Sequence, residues 1–251
     1  MRLTIIGSSG SFPGPDSPAS CYLVEADGFR LLLDLGNGAL GPLQRYADLY
    51  SVDAVYLSHL HTDHCADMCA YWVARMYAPG GSKDPIPVYG PEGVANRLAE
   101  IYGLEPDPGM TEVFDFHELT PGEFRIGPMT ARVARVNHPV DAFGIRLEHG
   151  GVSLTYSGDT GSCDSLVELA RDTDLFLCEA AFHDHVEHPK DMHLTGSEAG
   201  DHATRAGARK LLLTHLVPWN DDDITMTEAR STYDGPIELA RGGQVREIGA
   251  A

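Results

Sequence analysis

Four residues within a six-residue stretch carry the clearest chemistry in the sequence: His59, His61, Asp63 and His64. Neutral imidazoles and a carboxylate suit a borderline divalent cation such as Zn2+. The stretch directly follows the short apolar run 54–57. In a tight loop, alternate positions point one way and the next pair another, so one segment can serve two metals. The bland reading is a solvated polar loop, and the density of ligand types argues against it. Further ligands must come from other strand ends. His138 closes the strand-like run 132–137, and Asp159 follows Tyr156-Ser157-Gly158, where glycine allows a sharp turn. His215 follows Leu211-Leu212-Leu213-Thr214, and His193 sits just before a helix start.

Elements to hold these residues can be read from the pattern. Strands are expected at 3–6, 21–25, 30–34, 54–57, 86–89, 129–136, 143–148, 153–157, 175–178 and 210–214, with a final strand pair near the end. Helices are expected at 40–46, 66–77, from Pro91 to about 102, and at 165–171, 195–206 and 225–233. Hairpins mixed with strand–helix alternation point to an α/β fold of two sheets packed face to face with helices outside. Periodicity alone does not separate this from other α/β layouts. The Gly/Ser/Pro-rich loop 7–18 lacks the G-K-[ST] ending of a nucleotide-triphosphate cradle.

Composition narrows the function classes. The chain has 251 residues, 43% of them hydrophobic, enough for a sizeable core in one domain spanning 1–251. No apolar run nears the ~20 residues of a membrane span. The apolar start is too short for the h-region of a signal peptide, so a cytoplasmic protein is expected. Eighteen basic against 37 acidic residues give a formal charge of −19. Such a surface repels a phosphate backbone, which disfavours polymeric nucleic acid as a partner. Five cysteines without a C-x-x-C pair make a disulfide framework improbable; Cys65 and Cys69 read as small buried hydrophobes.

With these motifs in place, the chain resembles the metallo-β-lactamase superfamily from end to end. His59, His61, Asp63 and His64 match its signature loop, and His138, Asp159 and His215 match its remaining ligand positions. The resemblance implies an αββα sandwich of two mixed sheets with a binuclear site at one edge. It also implies that His59, His61 and His138 hold one metal, that Asp63, His64 and His215 hold the other, and that Asp159 bridges. Zinc is the first expectation, with manganese or iron as alternatives. Glu179-Ala180 and His193-Leu194-Thr195 resemble the phosphodiesterase branch that includes the tRNA 3′-processing endonuclease, where such a histidine faces the scissile phosphate and the glutamate orients it. The segments 14–20, 156–161 and 213–215 are similar to an actinobacterial, atypical class II cyclic-nucleotide phosphodiesterase family. The long tRNA-binding arm of the endonuclease, often inserted between the third histidine motif and the bridging aspartate, has no room here between His138 and Asp159.

The resulting expectation is a metal-dependent phosphodiesterase that hydrolyses 3′,5′-cyclic nucleotides to 5′-monophosphates through a hydroxide shared by two cations. In it His193 donates a hydrogen bond or proton, Glu179 fixes its tautomer, and Asp63 is either ligand or general base. The alternatives are a hydrolase of carbonyl substrates (a lactone or thioester), a tRNA 3′-processing endonuclease, and a non-enzymatic metal-binding protein. A homodimer is plausible by resemblance. His183, His185 and His188 read as a polar loop near the site mouth, and His117, His149 and His202 as surface or capping residues. Tyr71, Trp72, Tyr77, Phe182 and Trp219 are aromatics near the motifs that could stack on a base, though helical aromatics more often serve the core.

Overall fold

The computed structural model describes residues 1–249. Strands β1 (Arg2–Gly7), β2 (Cys21–Ala26), β3 (Phe29–Leu33), β4 (Ala54–Tyr56), β5 (Ile86–Gly90) and β6 (Phe114–Glu118) form one sheet. The last strand, β14 (Val245–Glu247), returns to this sheet and pairs antiparallel with β1. The second sheet holds β7 (Gly122–Ile126), β8 (Met129–Arg135), β9 (Phe143–His149), β10 (Val152–Tyr156), β11 (Leu175–Glu179), β12 (Leu211–Thr214) and β13 (Ile237–Leu239). Each sheet has seven strands and is mixed, antiparallel on one side and parallel on the other. Helices α1 (Leu40–Leu43), α2 (Thr62–Cys65), α3 (Asp67–Met76) and α4 (Val94–Tyr102) accompany the first sheet. Helices α5 (Asp164–Leu169), α6 (Gly196–Ala206) and α7 (Asp222–Thr232) accompany the second. This is the αββα sandwich.

The sequence pattern explains the layers. β11 and β12 are buried at every position, as parallel strands covered on both faces must be. β8 instead alternates, because its outer face is only partly covered. Between the sheets lies a central cluster that includes Leu3, Tyr22, Leu33, Phe143, Leu154 and Leu177. A second cluster joins the first sheet to α3 and α4, and a third joins the second sheet to α5, α6 and α7. Tight reversals set the register: Asp27-Gly28 turns β2 into β3 with φ of +49° and +83°, the signature of a two-residue hairpin loop. No helix among the described residues is long and apolar enough to cross a membrane.

Several expected elements take a different form. Pro91 does not open its helix; Gly93 in the left-handed region intervenes and α4 begins at Val94. The helix expected at 40–46 is only Leu40–Leu43. Helix 66–77 is preceded by the separate turn α2, which carries Asp63, His64 and Cys65, so Cys65 and Cys69 sit on successive helices. The two closing strands do not pair with each other: β13 joins β12, and β14 joins β1 in the other sheet. The edge strands β6 and β7 are additional. They expose most of their residues, so the apolar signal there is weak. His202 is buried rather than exposed: its Nδ1 donates to the Glu198 carbonyl, and its Nε2 accepts from the Cys163 backbone N–H.

Candidate metal centre

The site forms where both sheets present strand ends at one edge. β4 leads through Leu57 and Ser58 into His59 and His61, and α2 supplies Asp63 and His64. β8 leads to His138, β10 to Asp159 and β12 to His215. Gly158, at φ +60°, makes the turn that brings Asp159 inward, and a Cβ there would lie 3.0 Å from that of Ser58. His215 and Asp34 also adopt left-handed backbone, at φ +54° and +57°. Side chains other than glycine seldom do so, and such strain gathers at sites that the surrounding fold over-determines.

Three groups of donor atoms result, the third formed by Glu179, His193 and His215. His59 Nε2 lies 3.1 Å from His61 Nδ1, and His138 Nε2 lies 3.2 Å from that same nitrogen. In the second group, Asp159 Oδ2 is 3.1 Å from His64 Nε2 and 3.2 Å from His215 Nε2, while Asp63 Oδ2 is 3.1 Å from His215 Nε2. Asp159 Oδ2 also reaches His59 Nε2 at 3.6 Å, so one carboxylate faces the first and second groups. Within each group the ligand atoms lie within 4.8 Å of one another. The buried Asp159 Oδ1 has no hydrogen-bond partner, and His64 Nε2, though 3.1 Å from Asp159 Oδ2, is not aligned for a hydrogen bond with it. Buried polar atoms are seldom left so. Three ring nitrogens converging on one point, and a buried imidazole nitrogen and carboxylate oxygen without hydrogen bonds, fit a divalent cation better than any protein-only network.

Protonation follows from burial and neighbours. Burial pushes His59 well below the usual histidine range, and lowers His138 as well, which keeps both rings neutral and able to ligate. His64 is also disfavoured as a cation by burial, but the carboxylates of Asp159, Asp34 and Asp63 outweigh this and raise it well above the usual value. Asp63 and Asp159 stay ionised for the converse reason: burial opposes their charge, and the surrounding imidazoles more than restore it.

A supporting layer holds these ligands. Asp34, fully buried after β3, accepts from Ser58 Oγ at 2.8 Å, from Tyr156 Oη at 2.7 Å, and pairs with His64 Nδ1 at 2.7 Å. His138 Nδ1 donates to the Met192 carbonyl at 2.8 Å. Ser11 N–H donates to Asp63 Oδ2 at 3.0 Å. Such contacts fix ring orientation and tautomer. Sequence reading missed Asp34, Ser58, Tyr156 and Ser11. Only the glycine-flanked turn after Asp34 hinted at the first.

His193 and Glu179 stand beside the second group. His193 Nδ1 lies 2.9 Å from Glu179 Oε1, and the His193 ring stacks on that of His215 at 5.1 Å. Glu179 is fully buried and accepts backbone N–H groups from Thr160, Ala181 and Leu194. Thr195 caps α6 in a reciprocal box with Glu198, which pins the segment carrying His193. Burial would lower the His193 pKa, but the Glu179 carboxylate overrides it and raises the ring to about 9. Of the aromatics, Tyr71 and Trp72 belong to the core, and Tyr77 is exposed with its ring edge-on to Trp72. Phe182 packs its ring 5.0 Å from His193 and stacks on His188. His183 is buried against Thr225, and His185 is exposed.

Comparison with known proteins agrees with this architecture. Residues 29–216 match the family described as Beta-lactamase superfamily domain. Rv1339 of Mycobacterium tuberculosis, described as uncharacterized, is 46% identical over 254 residues, covering 99% of this chain and 92% of that protein. The Bacillus subtilis protein described as "Probable metallo-hydrolase YhfI" is 30% identical over 249 residues, covering 98% of this chain and all of that one. Its crystal structure, described as a metallo-beta-lactamase fold protein, superimposes with a TM-score of 0.88 at 29% identity, covering 98% of this chain and 99% of that one. Ribonuclease Z of Myxococcus xanthus is 30% identical, with 99% of this chain and 98% of the ribonuclease aligned. That alignment runs over 304 positions, more than this chain's 251 residues, so the ribonuclease carries insertions relative to it.

Proposed function

The chain belongs to the β-lactamase superfamily of metallo-hydrolases, and from that premise we propose that it is a phosphodiesterase hydrolysing 3′,5′-cyclic nucleotides such as cyclic AMP to 5′-monophosphates. The observation that carries the reading is the Glu179–His193 pair set against His215, at the rim of the second donor group. A protonated, carboxylate-held imidazole at that place can donate to a phosphoryl oxygen as it gains charge. The name ribonuclease Z on one relative points to the same bond type. Against a tRNA substrate stand the net charge of −19 and the use of residues between His138 and Asp159 for β9 and β10.

His59, His61 and His138 would hold one cation, and Asp63, His64 and His215 the other, with Asp159 Oδ2 shared. Zinc is the first choice for such donors. When bound, these ions supply Lewis acidity and a nucleophile derived from water. The protein's residues do the rest. Asp63 and Asp159, ionised despite burial, balance the positive charge. Glu179 holds the proton on His193 Nδ1, so Nε2 is the atom that turns toward the substrate. The Glu179 carboxylate favours the protonated ring against the cost of its burial. The ring donates from Nε2 to a phosphoryl oxygen, or to the ester oxygen as it leaves.

The test is metal content and hydrolysis measured on one purified sample, with cyclic AMP and bis-p-nitrophenyl phosphate as substrates. Conversion of cyclic AMP to 5′-AMP, with His193→Ala retaining metal but losing about 10²–10⁴-fold in rate, supports the reading. Turnover of lactones or thioesters with both phosphodiesters untouched would replace it.

A further inference from the structure

Two loops that run from the metal centre meet each other, and each carries an aromatic ring that contacts the other's. Phe12 follows Ser11, whose N–H contacts Asp63 Oδ2 at 3.0 Å and His215 Nε2 at 3.3 Å. Trp219 comes four residues after His215. The two ring centroids are 4.9 Å apart, with the planes tilted by 39°. Backbone hydrogen bonds from Leu216 N to the Ser8 carbonyl and from Gly10 N to the Leu216 carbonyl lock the loops together. Asn220 Nδ2 donates to the Ala181 carbonyl and ties the second loop to the segment carrying Phe182.

Trp219 is 76% exposed, the most exposed large hydrophobic side chain among the described residues. It therefore adds little to the core. We infer that Phe12 and Trp219 form a stacking platform for the base of a nucleotide whose phosphate lies at the Asp63–His215 side of the metal centre. The inference rests on the phosphodiesterase reading. An indole and a phenyl ring match one nucleobase in size and are far too small a patch for a protein partner, which would cover about 800 Å². Stacking needs no charge and works with any base. Phe12 is the chain neighbour of Ser11, whose N–H touches Asp63 and His215, so ring and site belong to one short segment.

The chain has two tryptophans, and Trp72 is buried, so the indole of Trp219 is a built-in reporter. The purified metal-loaded protein is titrated with 5′-AMP and, separately, with ribose 5-phosphate, which lacks the base. The expected result is a fluorescence change with 5′-AMP only, absent in Trp219→Phe. In steady-state kinetics Trp219→Ala raises KM for cyclic AMP about tenfold with kcat changed by less than about twofold, and Trp219→Phe restores most of the affinity. Circular dichroism checks that both variants fold. No fluorescence response to 5′-AMP, or an unchanged KM in a folded Trp219→Ala, overturns the platform while leaving the phosphodiesterase reading intact. If the wild-type protein cleaves no phosphodiester, that reading fails, and the 5′-AMP titration decides the platform by itself.

Discussion

Tyr156 donates its phenolic hydrogen to Asp34 Oδ2 at 2.7 Å, linking the end of β10 in one sheet to the residue just after β3 in the other. The same carboxylate oxygen meets His64 Nδ1, so alignment of the sheets and orientation of a metal ligand depend on one buried group. Asp34→Ala strands the Tyr156 and Ser58 hydroxyls in a dry interior. It is expected to cost about 3 kcal/mol, or roughly 6–12 °C in Tm. Metal affinity should fall about 10–100-fold. Calorimetry and a chelator competition read the two losses, and an unchanged Tm would rule out the linking role.

Glu179→Gln tests the support of His193. The amide keeps the shape but loses the negative charge that overrides burial. The variant is expected to keep its metal and lose about 10–100-fold in kcat. Because the cationic ring is then less favoured, the alkaline fall in activity should move to lower pH. A pH–rate profile with the alkaline limb unmoved would detach Glu179 from the chemistry.

Metal uptake should release protons. His64 is held cationic by three carboxylates in the metal-free protein, yet only its neutral ring can ligate. Its raised pKa means that the His64–carboxylate attraction stabilises the metal-free chain below the usual histidine range and fades as pH rises through the raised value. Cation binding runs the opposite way and strengthens with pH. Zinc competition titrations at pH 6 and pH 8 should therefore give tighter binding at pH 8. Stripping the metal should lower Tm at pH 8 more than at pH 6.

Away from the centre, Glu238 on β13 pairs with Lys210 and with Arg246 on β14. The Lys210 hydrogen bond, with help from Arg246, holds its carboxyl below the usual range. A depressed carboxylate contributes stability that is present above its unfolded value and is lost as pH falls through the folded one. Glu238→Gln should thus flatten the acid side of the Tm–pH curve below about pH 5. At neutral pH it should cost less than about 1 kcal/mol, and less still in high salt, since the pair is partly open to solvent.

The ligand cluster was legible because its members fall within six residues: a strand end, two histidines, then a helical turn with Asp63 and His64. Asp159 was legible through Gly158, whose left-handed backbone makes the turn. Asp34, Ser58 and Tyr156 were not. Asp34 meets Ser58 across neighbouring strands of one sheet and Tyr156 from the other, and no local pattern encodes a contact 122 positions apart in sequence. β6 and β7 escaped notice for a related reason: edge strands bury little, and little apolar signal remains to mark them. Pro91 favoured a helix start, but the left-handed Gly93 delays it.

The division of strands between the sheets also sets the order in which the molecule can be assembled. Residues up to Glu118 supply six strands of the first sheet and the whole His59–His64 cluster, while His138, Asp159 and His215 lie on the second. A chain emerging from the ribosome thus displays four donors long before the others exist. The first sheet gains its seventh strand only when Val245–Glu247 pairs with Arg2–Thr4. A cation held by both groups would therefore be retained only late in biogenesis, and would clasp two halves made at different times.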